Sequence, residues 1–344
     1  MLNVQRSCIY ICIIKLINMA IKKITPKFNE NGEIINKEDF YNGIQEIGKK
    51  HFTNFNIKQP RTIQEKLNYL MIHDCDKLKT LCADKLRVRE YVIEKLGKDI
   101  CVPLIATYNN TGEIKWDELP NDFVIKCNHG SGMNVVVNNK STVNKDGIIA
   151  KLNKWMNQDF SQRNNYEMQY HNIKHNIVVE KRLHDNKQTN SLFDYKFWCF
   201  NGKIKMYTIN TGFGHGDILY YDMNDNPIDL YMVLKNKPNM KFEKPKNFQQ
   251  MVEYATKLAE DFRFIRVDFY EVNGELYLGE LTFTPGACMF KYTKPNSNRM
   301  VGDMLELDEI VYTTPSPIEP QKKVVNKPSK IITQKRVRRT SFIY

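Results

Sequence analysis

The chain has 344 residues, 42% hydrophobic and 26% charged, which is ordinary for a soluble globular protein and long enough for two or three lobes. Its eight cysteines (Cys8, Cys12, Cys75, Cys82, Cys101, Cys127, Cys199 and Cys288) form no C-x-x-C pair and no cluster with zinc spacing, so a zinc framework is excluded. The formal charge of +12 invites a nucleic-acid reading. Much of it, however, sits in a tail after Thr314 that carries Lys322, Lys323, Lys327, Lys330, Lys335, Arg336, Arg338 and Arg339. That tail has Pro and Ser, no apolar period, and the composition of a disordered segment.

The N-terminal run Cys8–Ile17 is apolar but too short to span a bilayer, which needs about 20 residues. No small-x-small cleavage site follows it, and Met19-Ala20 reads as a plausible start. Residues 20–60 give little periodic signal. Helical spacing appears over Thr62–Leu70 and Asp84–Leu96, with Gly97 as the C-terminal cap of the second. Strands are predicted at Ile100–Tyr108, Asp122–Asn128 and Asn134–Val137, followed by a helix at Lys145–Met156 and a strand at Ile177–Leu183. Asp194–Phe200 and Lys203–Ile209 form a hairpin on Asn201-Gly202, and Ile218–Tyr221 is a short strand. Asn247 caps a helix running to about Asp261. Phe264–Tyr270 and Glu275–Thr284 then form a second hairpin on Asn273-Gly274. Strands in hairpins with helices between them describe an α+β fold with largely antiparallel sheets.

The last hairpin carries the most chemistry. Side chains alternate along a strand, so Arg266 and Asp268 share a face, as do Glu280 and Thr282 on the return strand. Two carboxylates, an arginine and a hydroxyl on one sheet surface suit Mg²⁺ holding a nucleotide's phosphates. A solvated face of ordinary charges would read the same way. Upstream, Lys126 ends an apolar strand before Asn128-His129-Gly130-Ser131-Gly132, an arrangement in which glycines admit phosphate oxygens and the lysine supplies charge. It is neither Walker A nor a Rossmann fingerprint. Val179-Glu180-Lys181-Arg182-Leu183 is a strand that turns polar and can meet an adenine edge, or equally be an edge strand with a salt-bridged glutamate. Asp194 and Lys196 share a face, and Arg89 lies on a helix; each reads equally as surface charge.

Taken together and in order, these pieces resemble the ATP-grasp superfamily, and within it the teichuronopeptide-biosynthesis (TupA-like) family, over roughly residues 60 to 295. The resemblance rests on Ala83-Asp84-Lys85 with Arg89-Glu90-Tyr91-Val92, Phe123–Gly132, Val179-Glu180-Lys181, Asp194-Tyr195-Lys196-Phe197, and Arg266-Val267-Asp268 through Gly279–Gly286. It implies two α+β lobes whose sheets sandwich ATP. The expected organisation is a leader and poorly defined region (1–60), a helical and strand region (61–120), a small lobe (121–185), a large lobe with the Mg²⁺ site (186–310) and the basic tail (311–344).

The resemblance also implies roles. ATP phosphates would meet Lys126, Lys196, Arg89 and the Gly130-Ser131-Gly132 loop. Adenine would meet Glu180, Lys181 and the backbone through Leu183, and the ribose Asp194. Asp268, Glu280 and Thr282 would bind Mg²⁺, with Thr282 where many superfamily members have Asn. Arg266 and Lys196 would be catalytic, Arg266 steadying an acyl-phosphate or a substrate carboxylate. The implied activity is an ATP- and Mg²⁺-dependent carboxylate–amine ligase acting through an acyl-phosphate. Its substrates would be a small-molecule or glycan carboxylate and an amine or other nucleophile, in cell-surface polysaccharide or glycoconjugate biosynthesis. A glycosyltransferase and a non-catalytic ATP-binding module are the competing readings; the nearest D-x-D is Asp74-Cys75-Asp76. A cytoplasmic location is expected, with no specific nucleic-acid partner and membrane association disfavoured. The oligomeric state is not legible.

Overall fold

The computed structural model describes residues 23–29, 33–163, 165–185, 192–210, 218–230, 244–292, 294 and 296–307. The chain divides into two units, Met1–Leu307 and Asp308–Tyr344, and all described residues belong to the first. The apolar N-terminal run and the basic tail lie outside the described residues.

Four helices come first: α1 (Lys37–His51), α2 (Ile63–His73), α3 (Lys77–Ala83) and α4 (Val88–Leu96). There follow β1 (Leu104–Tyr108), β2 (Phe123–Cys127), β3 (Asn134–Val137), α5 (Lys145–Met156) and β4 (Ile177–Lys181). The second half holds β5 (Asp194–Phe200), β6 (Lys203–Asn210), β7 (Ile218–Asp222), α6 (Phe248–Ala259), β8 (Phe264–Val272), β9 (Glu275–Thr282) and α7 (Ser297–Gly302).

The first sheet has order β1-β4-β2-β3 and the second β7-β6-β5-β8-β9, with every pairing antiparallel. Alternation explains both layers. In the first sheet Phe123, Ile125, Ile177 and Val179 point at Ile148 and Leu152 of α5, whose start is capped by Asn144 accepting from Gly147 N–H at 2.9 Å. In the second, Phe197, Cys199, Ile265, Val267 and Phe269 point at Met251, Ala255 and Leu258 of α6. The opposite face of that sheet packs Trp198, Phe200 and Phe264 against Leu67, Leu70 and Met71 of α2. The same face carries Lys196, Arg266 and Asp268, so one strand set supplies both a core and a polar surface.

Beyond shifted boundaries, such as β1 beginning at Leu104 rather than Ile100, and the unanticipated helix α3, three departures from the sequence expectation have a clear local cause. Residues 37–51 form a helix where periodicity had given no reading, with Phe40, Ile44 and Gly48 buried at close to helical spacing. The second predicted helix begins at Val88, because Asp84 bends the chain by accepting from Leu86 N–H at 2.8 Å. Asn247 occupies the cap position of α6 without a capping bond; its amide instead donates to Gly274 O at 2.7 Å and ties the helix to the Asn273-Gly274 turn. Both residues of that turn have positive φ, 52° and 83°, as the two-residue hairpin requires.

Candidate functional site

Two tethers hold the sheets on either side of one cleft. Leu278 N–H on β9 donates to Ile100 O at 2.7 Å, just before β1 begins. Asn273, at the β8–β9 turn, donates through its amide to His184 O at 2.8 Å, just after β4 ends. Beside the first tether, Lys85, Val102, Lys126, Glu180, Leu278 and Glu280 line a common cleft. Lys126 and Glu280, far apart in sequence and on different sheets, therefore face the same space.

The first sheet contributes Lys126, whose Nζ pairs with Glu180 Oε2 at 2.6 Å. Arg89 NH2 lies 3.7 Å from Glu180 Oε1, and the guanidinium also holds Asp99 at 2.7 Å and the Val102 carbonyl. Arg89 thus gathers at the Glu180 end. Lys85, to which the sequence reading gave no role, is the cation from this segment that reaches Glu280, at 3.1 Å. Lys181 is exposed and Leu183 half-buried beyond the end of β4. In the glycine loop only Ser131 and Gly132 are exposed. Gly130 is buried, and a Cβ there would meet the Phe160 ring at 2.5 Å, so packing by itself demands a glycine at this position. Cys127 N–H closes the loop on Met133 O at 3.0 Å.

The second sheet contributes the carboxylates. Its register places Asp268 opposite both Lys196 and Glu280. Arg266 forks onto Asp268 through Nε at 2.7 Å and NH2 at 2.6 Å, and NH2 also reaches Thr282 Oγ1 at 3.2 Å. Lys196 Nζ donates to Asp268 at 2.7 Å and also to Asp194. Burial alone would push the Glu280 carboxyl up, but the charges of Lys85, Arg266 and Lys196 outweigh it and hold the group down at about 2. For Arg266, burial works against the charge while the Asp268 carboxylate and its hydrogen bonds win, so its affinity for the proton rises. Burial raises the Asp194 carboxyl, Lys196 opposes it, and the Asp268 charge adds to the rise.

The donor set is made of oxygens, as a hard divalent cation requires. Asp268 and Glu280 present four carboxylate oxygens on facing strands, all engaged by cations or a hydroxyl, and Asp194 Oδ1 is buried with no partner. Among the described residues no group of three or more His, Cys, Asp and Glu is arranged to hold a metal by itself. An all-oxygen set of one or two carboxylates, completed by ligand phosphate, is the arrangement Mg²⁺ takes. The residues fit that ion when it is shared with a phosphate. The D-x-D alternative does not reach the cleft chemistry: Asp74 pairs with Lys79 at 2.5 Å and Asp76 caps α3 by accepting from Lys79 N–H at 2.8 Å.

A further buried carboxyl feels the charges of Glu280 and Lys85. Glu167 accepts from Thr284 Oγ1 at 2.6 Å, and Gln169 donates to the same hydroxyl at 2.7 Å. Burial pushes the Glu167 carboxyl up from 4.5 to about 7, with the Glu280 charge adding to the rise against the Thr284 bond. The unfolded chain gives up this proton first, so stability falls as pH rises through that window. Glu167→Gln is therefore expected to stabilise the protein by roughly 3 kcal/mol at pH 8 and to change little at pH 4. Thermal melts at the two pH values check this; equal shifts at both would refute it. Nothing in the sequence marked Glu167, which sits in an irregular polar segment.

A protein-family model described as TupA-like ATPgrasp matches residues 65–306. No curated protein matches the chain. Among solved structures it is similar to a D-alanine–D-alanine ligase from Bacillus anthracis complexed with ATP, at 17% identity and a TM-score of 0.37, over 64% of this chain and 61% of that one. It is also similar to an L-amino acid ligase from Bacillus licheniformis, at 12% identity and a TM-score of 0.43, over 74% of this chain and 56% of that one. The chain spans less than two thirds of either relative.

Proposed function

The chain belongs to the TupA-like ATP-grasp family, and on that premise we propose that it joins a carboxylate to an amine at the expense of ATP, through an acyl-phosphate. One observation carries the reading: Lys126 and Glu180 from one sheet and Glu280 from the other line a single cleft. ATP is assigned to that cleft, its base toward Glu180, Lys181 and Leu183 and its ribose toward Asp194. Its phosphates run from Lys126 and Ser131-Gly132 toward Lys196. Arg89 is assigned to the base end through Glu180, and Lys85 joins the phosphate cations. Asp268 and Glu280, with Thr282 beside them, would hold Mg²⁺, which neutralises phosphate charge when bound.

The chemistry needs no covalent nucleophile from the protein. A substrate carboxylate oxygen attacks the γ-phosphorus and ADP leaves. The amine nitrogen then attacks the acyl carbon, phosphate leaves with the C–O bond electrons, and the nitrogen loses a proton. Arg266 lies on the carboxylate face and is assigned to charge on the acyl-phosphate. Positioning and charge neutralisation are what this chain supplies. We assign the acceptor to a glycan or peptide of a surface polymer, a reading supported by the family alone. No helix among the described residues is long and apolar enough to cross a membrane; a cytoplasmic site of action accords with the use of ATP.

The test is a screen of pooled amino acids and uronic acids with Mg²⁺ and ATP, read by phosphate release and product mass. The expected product weighs the sum of two substrates less one water. Lys126→Ala is expected to lower turnover about a hundredfold, while Arg89, 3.7 Å from Glu180, leaves that buried carboxylate a cation partner and the fold intact. Consumption of a nucleotide-sugar without ATP binding would point instead to glycosyl transfer. ATP binding without phosphate release across the panel would indicate a binding module.

A further inference from the structure

We propose that Asn128 is a positioning residue that locks Lys85 and Lys126 into one cation pair facing Glu280, an inference that rests on the ATP-binding reading of the cleft. Asn128 is fully buried, two residues after Lys126 and just before the glycine loop. Its amide nitrogen donates to Asp84 Oδ1 at 2.8 Å and to Lys174 O at 2.9 Å. Its amide oxygen accepts from Asn176 N–H at 2.7 Å. Its backbone carbonyl accepts from Lys85 N–H at 3.2 Å, and its own N–H donates to Asn176 O at 3.1 Å. Both side-chain donors are used, so the amide cannot rotate without stranding a buried polar group.

Asp84 is the other end of the lock. It too is buried, and the oxygen that accepts from Asn128 also accepts from Leu86 N–H at 2.8 Å and Arg87 N–H at 3.3 Å. That oxygen therefore sets the bend from which Lys85 departs and the start of α4, which carries Arg89. Lys85 reaches Glu280 at 3.1 Å across the cleft. A single amide thus couples two cations of the cleft, Lys85 and Lys126, and the start of the helix that carries Arg89, across 44 residues of sequence. An aliphatic side chain could fill the same volume, but it would leave Asp84, Lys174 O and Asn176 N–H short of partners.

The test uses the full chain and four variants, with Mg-ATP binding followed by calorimetry and folding by thermal melts with and without nucleotide. Asn128→Ala is expected to weaken Mg-ATP binding by about tenfold or more, the scale of one lost buried partner, and to shrink the nucleotide-induced thermal shift. Asp84→Ala should behave alike. Asp84→Asn keeps an amide oxygen that accepts from Asn128, and it should bind Mg-ATP within about threefold of wild type. Should Asn128→Ala fail to fold, Asn128→Ser and the Asp84 pair carry the comparison. Wild-type affinity in folded Asn128→Ala, or equal loss in Asp84→Asn and Asp84→Ala, overturns the proposal. Absence of Mg-ATP binding in the wild type overturns the cleft reading itself, and the lock with it.

Discussion

Glu280→Gln is expected to abolish ATP-dependent phosphate release while the chain stays folded. The substitution keeps the shape of the side chain, removes its charge and turns one acceptor oxygen into an N–H donor. Glu280 is the residue in which the two halves of the cleft meet: Oε1 pairs with Lys85 at 3.1 Å, Oε2 accepts from Thr282 at 3.3 Å, and Asp268 stands opposite in register. Its carboxyl is held down at about 2 by surrounding positive charge, so it stays ionised at all working pH values and is a permanent negative site for a cation. Gln keeps one acceptor oxygen for Lys85, and its amide N–H can donate to the Thr282 hydroxyl in place of accepting from it, but as a neutral ligand it leaves the cations around it uncompensated. The loss of one such stabilising contact is worth on the order of 3 kcal/mol in the transition state, or about a hundredfold in rate. Loss of the Mg²⁺ interaction adds to that. Phosphate release with matched thermal melts measures both sides. Wild-type turnover in a folded Glu280→Gln protein is the result that removes Glu280 from the chemistry.

The strands and their faces were legible because alternation is a local property. Arg266, Asp268 and Lys196 were placed on common faces by counting residues, and the Asn-Gly turns fixed both hairpins. What the sequence could not show is which cation meets which carboxylate across the cleft. Arg89 lies on a recognisable helix, whereas Lys85 lies in the irregular bend before it, yet Lys85 is the residue paired with Glu280. A signal did exist: an Asp two residues before Leu86 is an Asx-type bend, which would have moved the helix start to Val88 and turned Lys85 away from the helix surface. Glu167 and Asn128 are different cases. Their environment is assembled from segments more than 40 residues away, Thr284 for one and Asp84 with Lys174 for the other. No local pattern encodes such a meeting. Gly130 carries a requirement of the same kind, since the Phe160 ring leaves no room for a Cβ there.

The second large effect is expected at Arg266, where charge and geometry can be separated. Its guanidinium holds both oxygens of Asp268 at 2.7 and 2.6 Å, and Asp268 is almost fully buried. Arg266→Ala leaves that buried carboxylate with Lys196 alone, and breaking a buried pair from one side destabilises by about 3–5 kcal/mol. Part of this is recovered by Lys196, which already lies 2.7 Å away, so the lower end of the range is expected. Arg266→Lys restores the charge but not the planar fork that spans Asp268 and Thr282. It should therefore recover most of the stability and little of the turnover, because a single ammonium cannot orient Asp268 and meet developing charge on the substrate together. Thermal melts and phosphate release on the three proteins resolve the two contributions. If Arg266→Lys regains activity in step with stability, Arg266 acts only as a structural counter-charge to Asp268, and its assignment to the reacting group falls.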